Sequence, residues 1–289
     1  MTARIIDGRS IAQGIKKQVF KEVINLISIY KKPPNIATVI IGEDEASKLY
    51  LKLRYESCKE VGINTCTVEH PGTVSQREVV DSIRELNENE DVHGILLQFP
   101  IPKHLSPSYL VSLINPVKDV EGIHPLNMGK IMIGDEDIIP CTPLAVLTIL
   151  NHERINIEGK NVVIVNHSMI VGKPLSILLL NRNATVSTCH VYTKDLKRYT
   201  TEADILITAA GTPRLITKDH IKNNACVIDV SVINTKDGVC GDVDENVKEK
   251  ASLLTPVPGG VGPVTIACSL QNMVKTYRKQ MEEKTKKDK

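Results

Sequence analysis

Asn161 to Pro174, with the sequence NVVIVNHSMIVGKP, gives the strongest indication of the fold. Its first five residues are rich in Val and Ile and predict a strand buried on both faces, and a polar turn then leads through Gly172 into an apolar helix. This order opens a dinucleotide-binding unit, because the N–H groups and positive dipole end of such a helix favour a pyrophosphate. The generic G-x-G-x-x-G fingerprint is absent, since Asn166 and Ser168 replace its first two glycines. An α/β turn without a ligand stays the alternative.

Composition sets the outer limits of the function. A chain of 289 residues is long enough for two domains, and a formal net charge of +2 gives no argument for nucleic acid or a membrane as partner, so we expect a small substrate. The N-terminal MTARIIDGRS lacks the apolar core of a signal peptide and no apolar run could cross a bilayer, so we expect a soluble cytoplasmic protein. The seven cysteines are widely spaced and never C-x-x-C, which indicates neither a disulfide framework nor a metal site.

Helix and strand signals alternate along the first half of the chain. Apolar residues four apart from Ile11 to Ile27 predict the first helix, over 9–30. Further helices are predicted over 45–61, 75–87 and 107–114, and strands over 36–41, 63–68 and 93–99. Pro140–Pro143 predicts a helix start with Thr142 as its cap and Pro143 in its first turn.

Two polar features in this half stand out as candidate sites. Tyr50 and Arg54 share one face of the predicted 45–61 helix, with Ser47 on the neighbouring turn, and an inward polar stripe of this kind would line a site. Gln98 lies at the carboxyl end of a buried strand, just before Pro100, where open α/β sheets place ligand contacts. The alternative for Gln98 is that it only satisfies loop backbone.

The second half predicts a Rossmann-like sheet of four parallel strands, at 161–165, 185–189, 204–209 and 226–232. An NAD site normally offers a carboxylate after its second strand, but this chain has His190 there. Together with His167 and Lys173 nearby, this favours the 2′-phosphate of NADP. Pro256–Pro263, with three glycines and three prolines, predicts a backbone that approaches something closely. A helix to about Lys279 and a frayed charged tail follow.

Six motifs then carry a resemblance, and they occur in this order: Ser47-x-x-Tyr50, Leu97–Pro102 (LQFPIP), Lys118–Gly122 (KDVEG), Pro140–Pro143 (PCTP), Ser168-x-x-Val171-Gly172-Lys173-Pro174 and Pro256–Pro263 (PVPGGVGP). The chain resembles the methylenetetrahydrofolate dehydrogenase/cyclohydrolase family of the FolD type over almost its whole length. The resemblance implies an α/β fold with an N-terminal catalytic domain over 1–142 and 264–289, an NAD(P)-binding Rossmann-like domain over 143–263, a cleft between them, and a homodimer.

The same resemblance implies a reaction and its residues. One-carbon derivatives of tetrahydrofolate would be the substrates: NADP, or possibly NAD, would oxidise 5,10-methylenetetrahydrofolate to the methenyl compound, which water would convert to 10-formyltetrahydrofolate. Tyr50 would stack on the folate and Gln98 would tune the catalytic base at position 54. The implied substrate contacts are Ser47, Tyr50, Gln98, Pro100, Glu121, Gly262, Pro263 and Thr265. The implied cofactor contacts are Asn166, His167, Ser168, Val171, Gly172, Pro174, His190, Ala210, Gly211, Ser231 and Val232.

Departures from the family pattern carry predictions of their own. Arg54 stands where most members have the catalytic lysine, and an arginine stays protonated, so we predict that hydride transfer survives while hydrolysis is weak or absent. Lys52 points to the opposite side of the helix and is a poor substitute. Glu121 replaces the usual pterin-binding Asp, and His167 replaces the usual Arg of the cofactor turn. In the segment after the fourth strand, the usual Asp-Val-Gly-Ile-Asn is replaced by Asp229–Asn234 (DVSVIN), which puts the nicotinamide contacts there, Ser231 among them, in question.

Three alternatives stay open beside the bifunctional enzyme. The first is a dehydrogenase without cyclohydrolase activity. The second is a folate- or nucleotide-binding homologue that has lost turnover, as suggested by the joint change of Arg54, Glu121 and His167. The third, an unrelated Rossmann oxidoreductase acting on a 2-hydroxy acid, is disfavoured because no His–acid pair or substrate arginine has recognisable spacing.

Overall fold

The protein, seen here as a computed structural model, is described for residues 2–43, 45–236 and 238–287, with all their side chains except those of residues 45–47, 49 and 287. The chain divides into two compact units. Unit 1 comprises Met1–Ala12, Ile131–Asp135 and Thr142–Thr265, and unit 2 comprises Gln13–Lys130, Glu136–Cys141 and Ile266–Lys289. Residues 1–12, predicted as part of the catalytic domain, cluster in the structure with the second half of the chain.

Helices and strands alternate along most of the chain. Up to residue 140 the elements are β1 (Arg4–Ile5), α1 (Gly8–Tyr30), β2 (Asn35–Ile41), α2 (Glu45–Val61), β3 (Asn64–His70), α3 (Gln76–Glu88), β4 (Gly94–Leu97), α4 (Pro107–Leu113) and α5 (Pro125–Met132). They continue with α6 (Cys141–His152), β5 (Asn161–Val165), α7 (Gly172–Leu180), β6 (Thr185–Cys189), α8 (Leu196–Thr200), β7 (Ile205–Thr208), β8 (Cys226–Asp229), β9 (Ile233–Thr235), β10 (Gly238–Cys240), β11 (Leu253–Leu254) and α9 (Val261–Lys287).

Unit 2 is built on a three-stranded parallel sheet with the order β3-β2-β4. The central strand β2 is apolar because it is paired on both sides, and Ala37 and Val39 are fully buried in it. Helix α3 begins with a capping box, in which the Ser75 hydroxyl accepts the Glu78 N–H while the Glu78 carboxylate accepts the Ser75 N–H. The helix predicted to begin at residue 75 therefore has Ser75 as its N-cap.

Unit 1 holds a six-stranded parallel sheet with the order β1-β11-β8-β7-β5-β6. Strand β5 lies inside the sheet, and Val162–Val165 are at most 4% exposed, as the sequence predicts. Val165 is in register with Cys189 and with Thr208, and Thr208 is in register with Asp229. The residues that follow β5, β6, β7 and β8 therefore share one edge of the sheet, which brings the predicted cofactor residues of unit 1 to the same side.

Most predicted elements are confirmed, and α2, β5 and β6 match their predicted bounds. The predicted sheet of four strands is too small, because β1 and β11, which extend it beyond β8, are two-residue strands that show no periodicity by themselves. The predicted strand 226–232 ends at Asp229, where the chain turns. Thr142 is not a cap, since α6 already begins at Cys141, whose N–H donates to the Glu121 carbonyl. Helix α5 and the antiparallel β9–β10 pair were not predicted.

The C-terminal helix is longer than its sequence pattern indicates. It continues to Lys287, where a frayed tail was predicted after residue 279. Gln280 donates to the carbonyl oxygens of His93 (2.6 Å) and Thr276 (3.0 Å), and Lys284 pairs with Glu90 (2.9 Å). These polar contacts attach the charged turns of α9 to the rest of unit 2. The sequence of these turns has no apolar stripe that would predict the attachment.

Buried Ile, Leu and Val make up most of both cores, as the scarcity of aromatic residues predicts. The seven cysteines are all free, and five of them are buried. Within the described residues, no helix is long and apolar enough to cross a membrane, and no cluster of three or more His, Cys, Asp or Glu side chains could hold a metal ion.

Candidate active site

Helix α2 directs Tyr50 and Arg54 into unit 2, as the stripe predicts. Arg54 is 3% exposed, and its guanidinium carbon lies 5.0 Å from the centre of the Tyr50 ring. Lys52 and Leu53 are exposed on the other side of the same helix. Ser47, the third member of the predicted stripe, has a side chain outside the described part of the chain. The structure therefore buries a permanent cation beside an aromatic ring, where the sequence places the two residues only on a common face.

Glu121 compensates the charge of Arg54. Its Oε1 atom accepts a hydrogen bond from Arg54 Nη2 at 3.0 Å, and the two side chains are 23% and 3% exposed. Burial alone would lower the pKa of Arg54, but the Glu121 carboxylate and the Tyr50 phenol outweigh burial and raise that pKa further. Two of the residues that depart from the family pattern, Arg54 and Glu121, are thus one ion pair.

The other titratable side chains around Arg54 hold their protons firmly. Burial raises the pKa of Tyr50 to about 12, against the opposing charge of Arg54. Burial likewise raises the pKa of the Cys141 thiol well above its usual value, and that of Cys58 to about 12. Tyr50, Arg54 and Cys141 are therefore all protonated at neutral pH.

The loop before Glu121 is built by a buried carboxylate. Asp119 is 1% exposed and accepts hydrogen bonds from the N–H groups of Gly122 (2.9 Å) and His124 (2.8 Å) and from Asn127 Nδ2 (2.8 Å). Gly122 has a φ of +73°, and a Cβ there would lie 2.6 Å from the Ile139 carbonyl carbon, so only glycine fits. Acidic loop residues are commonly solvated, but this one is structural.

Lys118 and Asn272 complete the support for this loop. The Lys118 ammonium donates to three carbonyl oxygens at the end of α3, those of Leu86, Asn87 and Asn89, and so caps that helix. Asn272 on α9 donates to the carbonyls of Val120 (2.9 Å) and Ile139 (2.8 Å). Asn272 was missed, and its only sequence signal is an amide within an apolar helix face.

Gln98 follows β4 and is half-buried. Its Nε2 donates to the Phe99 carbonyl at 2.8 Å, which is the loop-backbone contact that the sequence analysis left as an alternative. Gln98 and Pro100 also line an open cavity of about 370 Å³, together with the end of β2 and with His70. This cavity offers the room for a small ligand at the carboxyl edge of the sheet.

In unit 1, the turn after β5 closes on itself through Asn166. Its Oδ1 accepts the N–H groups of Ser168 (2.8 Å) and Gly172 (2.9 Å), and its Nδ2 donates to the Ala209 carbonyl (2.7 Å). The N–H of Val171 bonds the Ser168 hydroxyl, and the N–H of Lys173 bonds the Ser168 carbonyl. The first N–H groups of α7, expected to meet a pyrophosphate, are therefore already occupied within the chain. Val171 and Pro174 are buried behind this turn.

His167 and His190 come together at the ends of β5 and β6. Their ring centres are 4.8 Å apart, and the Nδ1 atom of His190 accepts the Tyr192 N–H at 3.2 Å. That bond places the proton of a neutral His190 on Nε2, which can then donate to an anion. His167 is exposed. The pair therefore consists of an exposed and a half-buried imidazole, and imidazole nitrogens of this kind can donate to a phosphate.

Two buried carboxylates that the sequence analysis missed hold the loops after β7 and β8. Asp242 is fully buried and accepts hydrogen bonds from the Thr208 hydroxyl (2.6 Å) and from the N–H groups of Ala210 (2.6 Å) and Thr212 (2.9 Å). Asp229 accepts the N–H groups of Ser231 (3.0 Å) and Val243 (2.8 Å). The sequence signal for Asp242 is its place in Gly241-Asp242-Val243, just after β10.

Ser231 links the same two loops. Its hydroxyl accepts the Gly211 N–H at 3.1 Å, and its side chain is buried. Gly211 has a φ of +69° and is exposed, as are Ala210 and Val232. The structure therefore brings these predicted cofactor residues to one sheet edge, with the Ser231 hydroxyl tying the loops together where a glycine would leave them separate.

The loop Pro256–Pro263 packs closely against the start of α1. A Cβ on Gly8, at the start of α1, would lie 1.8 Å from the Gly260 carbonyl oxygen. Gly259 has a φ of +105°, and a Cβ on Gly260 would lie 2.5 Å from the Pro256 carbonyl oxygen. Gly262 and Pro263 are half-buried in the first turn of α9, and the Thr265 hydroxyl donates to the Val261 carbonyl at 3.2 Å. The glycines thus allow the close approach that the sequence predicts.

Replacing Gly172 by alanine should open the Asn166 turn. The added Cβ would lie 2.1 Å from the Asn166 carbonyl oxygen, which is backbone and cannot rotate away. We expect a loss of about 1–3 kcal/mol in the free energy of unfolding, as for other overpacked sites, and at least a tenfold weaker binding of NADP. Urea unfolding and a fluorescence titration measure the two effects. Gly129→Ala, in a helix with open space around it, is the matched control; unchanged stability and affinity in Gly172→Ala would contradict the prediction.

Asp229 gives the stability of the protein a characteristic pH dependence. Burial, and then the charge of Asp242, raise the pKa of Asp229 to about 7. Between the unfolded pKa of about 4 and pH 7 the folded state binds more protons, so the contribution of Asp229 to stability falls as pH rises. Relative to Asp229→Asn, the wild type should lose up to about 4 kcal/mol from pH 4 to pH 8.

Urea unfolding at four or five pH values measures this difference. Val163→Ala, a core change without a titrating group, should show the same stability loss at every pH. A constant difference between the wild type and Asp229→Asn across the range would contradict the raised pKa.

Two family models match consecutive parts of the chain. Residues 6–121 match the catalytic domain of the tetrahydrofolate dehydrogenase/cyclohydrolase family, and residues 140–281 match its NAD(P)-binding domain. The chain belongs to this family. The first model covers Tyr50, Arg54, Gln98 and Glu121, and the second covers the Asn166 turn, the histidine pair and the two buried carboxylates. The α/β fold implied by the resemblance is confirmed.

Members of the family with curated names or solved structures are similar over nearly the full chain. The bifunctional protein FolD of Methanosarcina barkeri is 50% identical over 273 residues, which cover 94% of this chain and 95% of that protein. The FolD crystal structure from Campylobacter jejuni has a TM-score of 0.93 and 40% identity, with 96% of this chain and 99% of that chain covered. FolD of Trypanosoma brucei, solved with NADP and an inhibitor, has a TM-score of 0.93 and 35% identity over 97% and 99% of the two chains.

Proposed function

We propose that this chain is a bifunctional enzyme of one-carbon folate metabolism, which oxidises 5,10-methylenetetrahydrofolate with NADP and hydrolyses the methenyl product to 10-formyltetrahydrofolate. The observation that carries the proposal is the match of both family domains, catalytic and NAD(P)-binding, along one chain. Full-length similarity to relatives named bifunctional supports it. Cytoplasmic location and a homodimer are part of the same proposal.

The folate site is assigned to unit 2. Tyr50 supplies a neutral aromatic face for the pterin, and Ser47, Gln98, Pro100 and Glu121 bind around it. The Arg54–Glu121 pair brings little net charge, which suits a reaction that turns a neutral bridge into a methenyl cation, since an unpaired arginine would repel that product. Gly262, Pro263 and Thr265, at the start of α9, belong to unit 1 and stay substrate contacts predicted from the family resemblance.

The dinucleotide site is assigned to the sheet edge of unit 1. Bound NADP would accept the hydride at its nicotinamide ring. His167, Ser168 and His190 hold the 2′-phosphate, and a neutral or charged imidazole can both donate to it. The chain's own residues align the cofactor, which is the protein's task in a hydride transfer. The same site accepts NAD more weakly, because it lacks the carboxylate that would bind a free ribose hydroxyl.

The hydrolytic step proceeds without a lysine base. Arg54 keeps its proton, and so do Tyr50 and Cys141. The Glu121 carboxylate and solvent are left to take the proton of the attacking water, without a lysine positioned as general base. We therefore expect hydrolysis to be slow relative to hydride transfer, and methenyl compound to accumulate.

One assay tests the proposal. Purified protein is mixed with 5,10-methylenetetrahydrofolate and NADP, or separately NAD, and the reduced nicotinamide, methenyl compound and 10-formyl product are followed together. Reduced nicotinamide with methenyl compound that decays faster than in a protein-free control supports both activities. Decay at the protein-free rate would leave only the dehydrogenase, and absence of reduced nicotinamide would favour a binding protein.

A further inference from the structure

We infer that Asp242 is a positioning residue for the nicotinamide end of the dinucleotide. This carboxylate holds the loop Ala210–Thr212 so that the loop presents backbone carbonyl oxygens to its ligand. The inference rests on the proposed function only in taking the carboxyl edge of this sheet as the dinucleotide site.

The N–H groups of the loop all point inward. Those of Ala210 and Thr212 donate to the two oxygens of Asp242, at 2.6 and 2.9 Å, and that of Gly211 donates to the Ser231 hydroxyl at 3.1 Å. With its N–H groups occupied, the loop backbone has only carbonyl oxygens left for a ligand. Such a surface repels phosphate and accepts hydrogen bonds from an amide NH₂, the group that the nicotinamide carboxamide offers.

Asp242 itself does not reach a ligand from this position. Its side chain is fully buried, and its Oδ2 also accepts the Thr208 hydroxyl at 2.6 Å. A carboxylate with three donors is stable when buried, whereas its isosteric amide would direct an NH₂ group at a backbone N–H. Asp242→Asn should therefore turn the loop without removing any contact between side chain and ligand.

The segment that carries Asp242 is itself anchored. The carbonyl of Asp242 accepts the Ile216 N–H at 2.9 Å, and the Ile216 carbonyl accepts the Asp244 N–H at 2.8 Å. A Cβ on Gly241 would lie 2.0 Å from Asp229 Oδ2, so the chain passes the second carboxylate as closely as a glycine allows. The loop and its support are thus joined into one rigid unit at the ends of β7 and β8.

The test compares NADP with 2′-phospho-ADP-ribose, which is the same molecule without the nicotinamide ring. Dissociation constants are measured by calorimetry for the wild type, Asp242→Asn, Thr208→Val and the control Asp244→Asn. Asp244 caps the short 3₁₀ helix Glu245–Glu249 through the Asn246 N–H and does not touch the loop. We expect Asp242→Asn to weaken the binding of NADP at least tenfold and the binding of phospho-ADP-ribose less than twofold.

Thr208→Val removes one hydrogen-bond donor and keeps the Asp242 carboxylate, so it should weaken the binding of NADP alone, by about threefold. This variant keeps the test valid if Asp242→Asn does not fold. Equal losses for both ligands would show a merely structural role and overturn the inference, as would unchanged NADP binding in both variants. If the wild type binds neither ligand, the proposed function fails as well; if it binds phospho-ADP-ribose as tightly as NADP, only the inference fails.

Discussion

Arg54→Lys should raise the rate of methenyltetrahydrofolate hydrolysis at least about tenfold, because a positioned general base contributes about 10²–10⁴-fold to such a step. Arginine cannot give up its proton, whereas a lysine has a lower pKa to begin with; burial at this place lowers that pKa, and pairing with Glu121 opposes the change. The shorter side chain can still pair with Glu121, so the site keeps its charge balance. The ratio of hydrolysis to hydride transfer should rise accordingly.

The measurement is the loss of the methenyl absorbance, with enzyme-free hydrolysis subtracted, from pH 6 to pH 9. Arg54→Lys should show a new rise of rate with pH as the lysine deprotonates, whereas the wild type should not. Lys52→Arg, on the exposed face of the same helix, is the matched control and should change the rate less than twofold. If Arg54→Lys hydrolyses no faster than the wild type, a different group supplies the base.

Glu121→Gln should lower the free energy of unfolding by about 2–3 kcal/mol. Removing one partner of a buried ion pair costs about 3–5 kcal/mol, since the other charge stays buried without compensation, and the partial exposure of Glu121 reduces this loss. The side chain of Arg54 is 3% exposed and cannot reach water without moving α2. The same variant should bind the cationic methenyl product more weakly than the wild type does.

A surface ion pair in the same unit provides the control. Arg278 and Glu22 are 2.7 Å apart but 44% and 49% exposed, so Glu22→Gln should cost about 0–1 kcal/mol. Urea unfolding of the wild type and both variants gives the comparison. Equal losses in Glu121→Gln and Glu22→Gln would mean that the buried pair contributes no more than a solvated one.

The second pair of residues that differs from the family is explained only in part by contacts. Ser231 replaces a glycine and gains a hydrogen bond from Gly211, which ties two loops together. His167, where the family resemblance implies an arginine, stands beside His190 with the ring centres 4.8 Å apart.

Periodicity and motif order were enough to predict most of the fold. Buried β-branched runs predicted β5 and β6 to the residue, and the stripe on α2 placed Tyr50 and Arg54 on an inward face. These features are local, since each depends on residues within one element. The motifs also identified the family, because close backbone approaches such as that of Gly260 to Gly8 require glycine at fixed positions.

The sequence alone is therefore sufficient for the fold class, the division into two half-chains and the residue types at each candidate site. The pairing of Arg54 with Glu121, 67 residues away, is seen only in the folded chain. The same is true of Asn166, which occupies an N–H group expected to meet a pyrophosphate, and of Asp242, which occupies N–H groups of the Ala210–Thr212 loop. The physical reason is that a hydrogen bond or ion pair between distant segments depends on where the fold brings them. Patterns within a single segment carry no record of that distance.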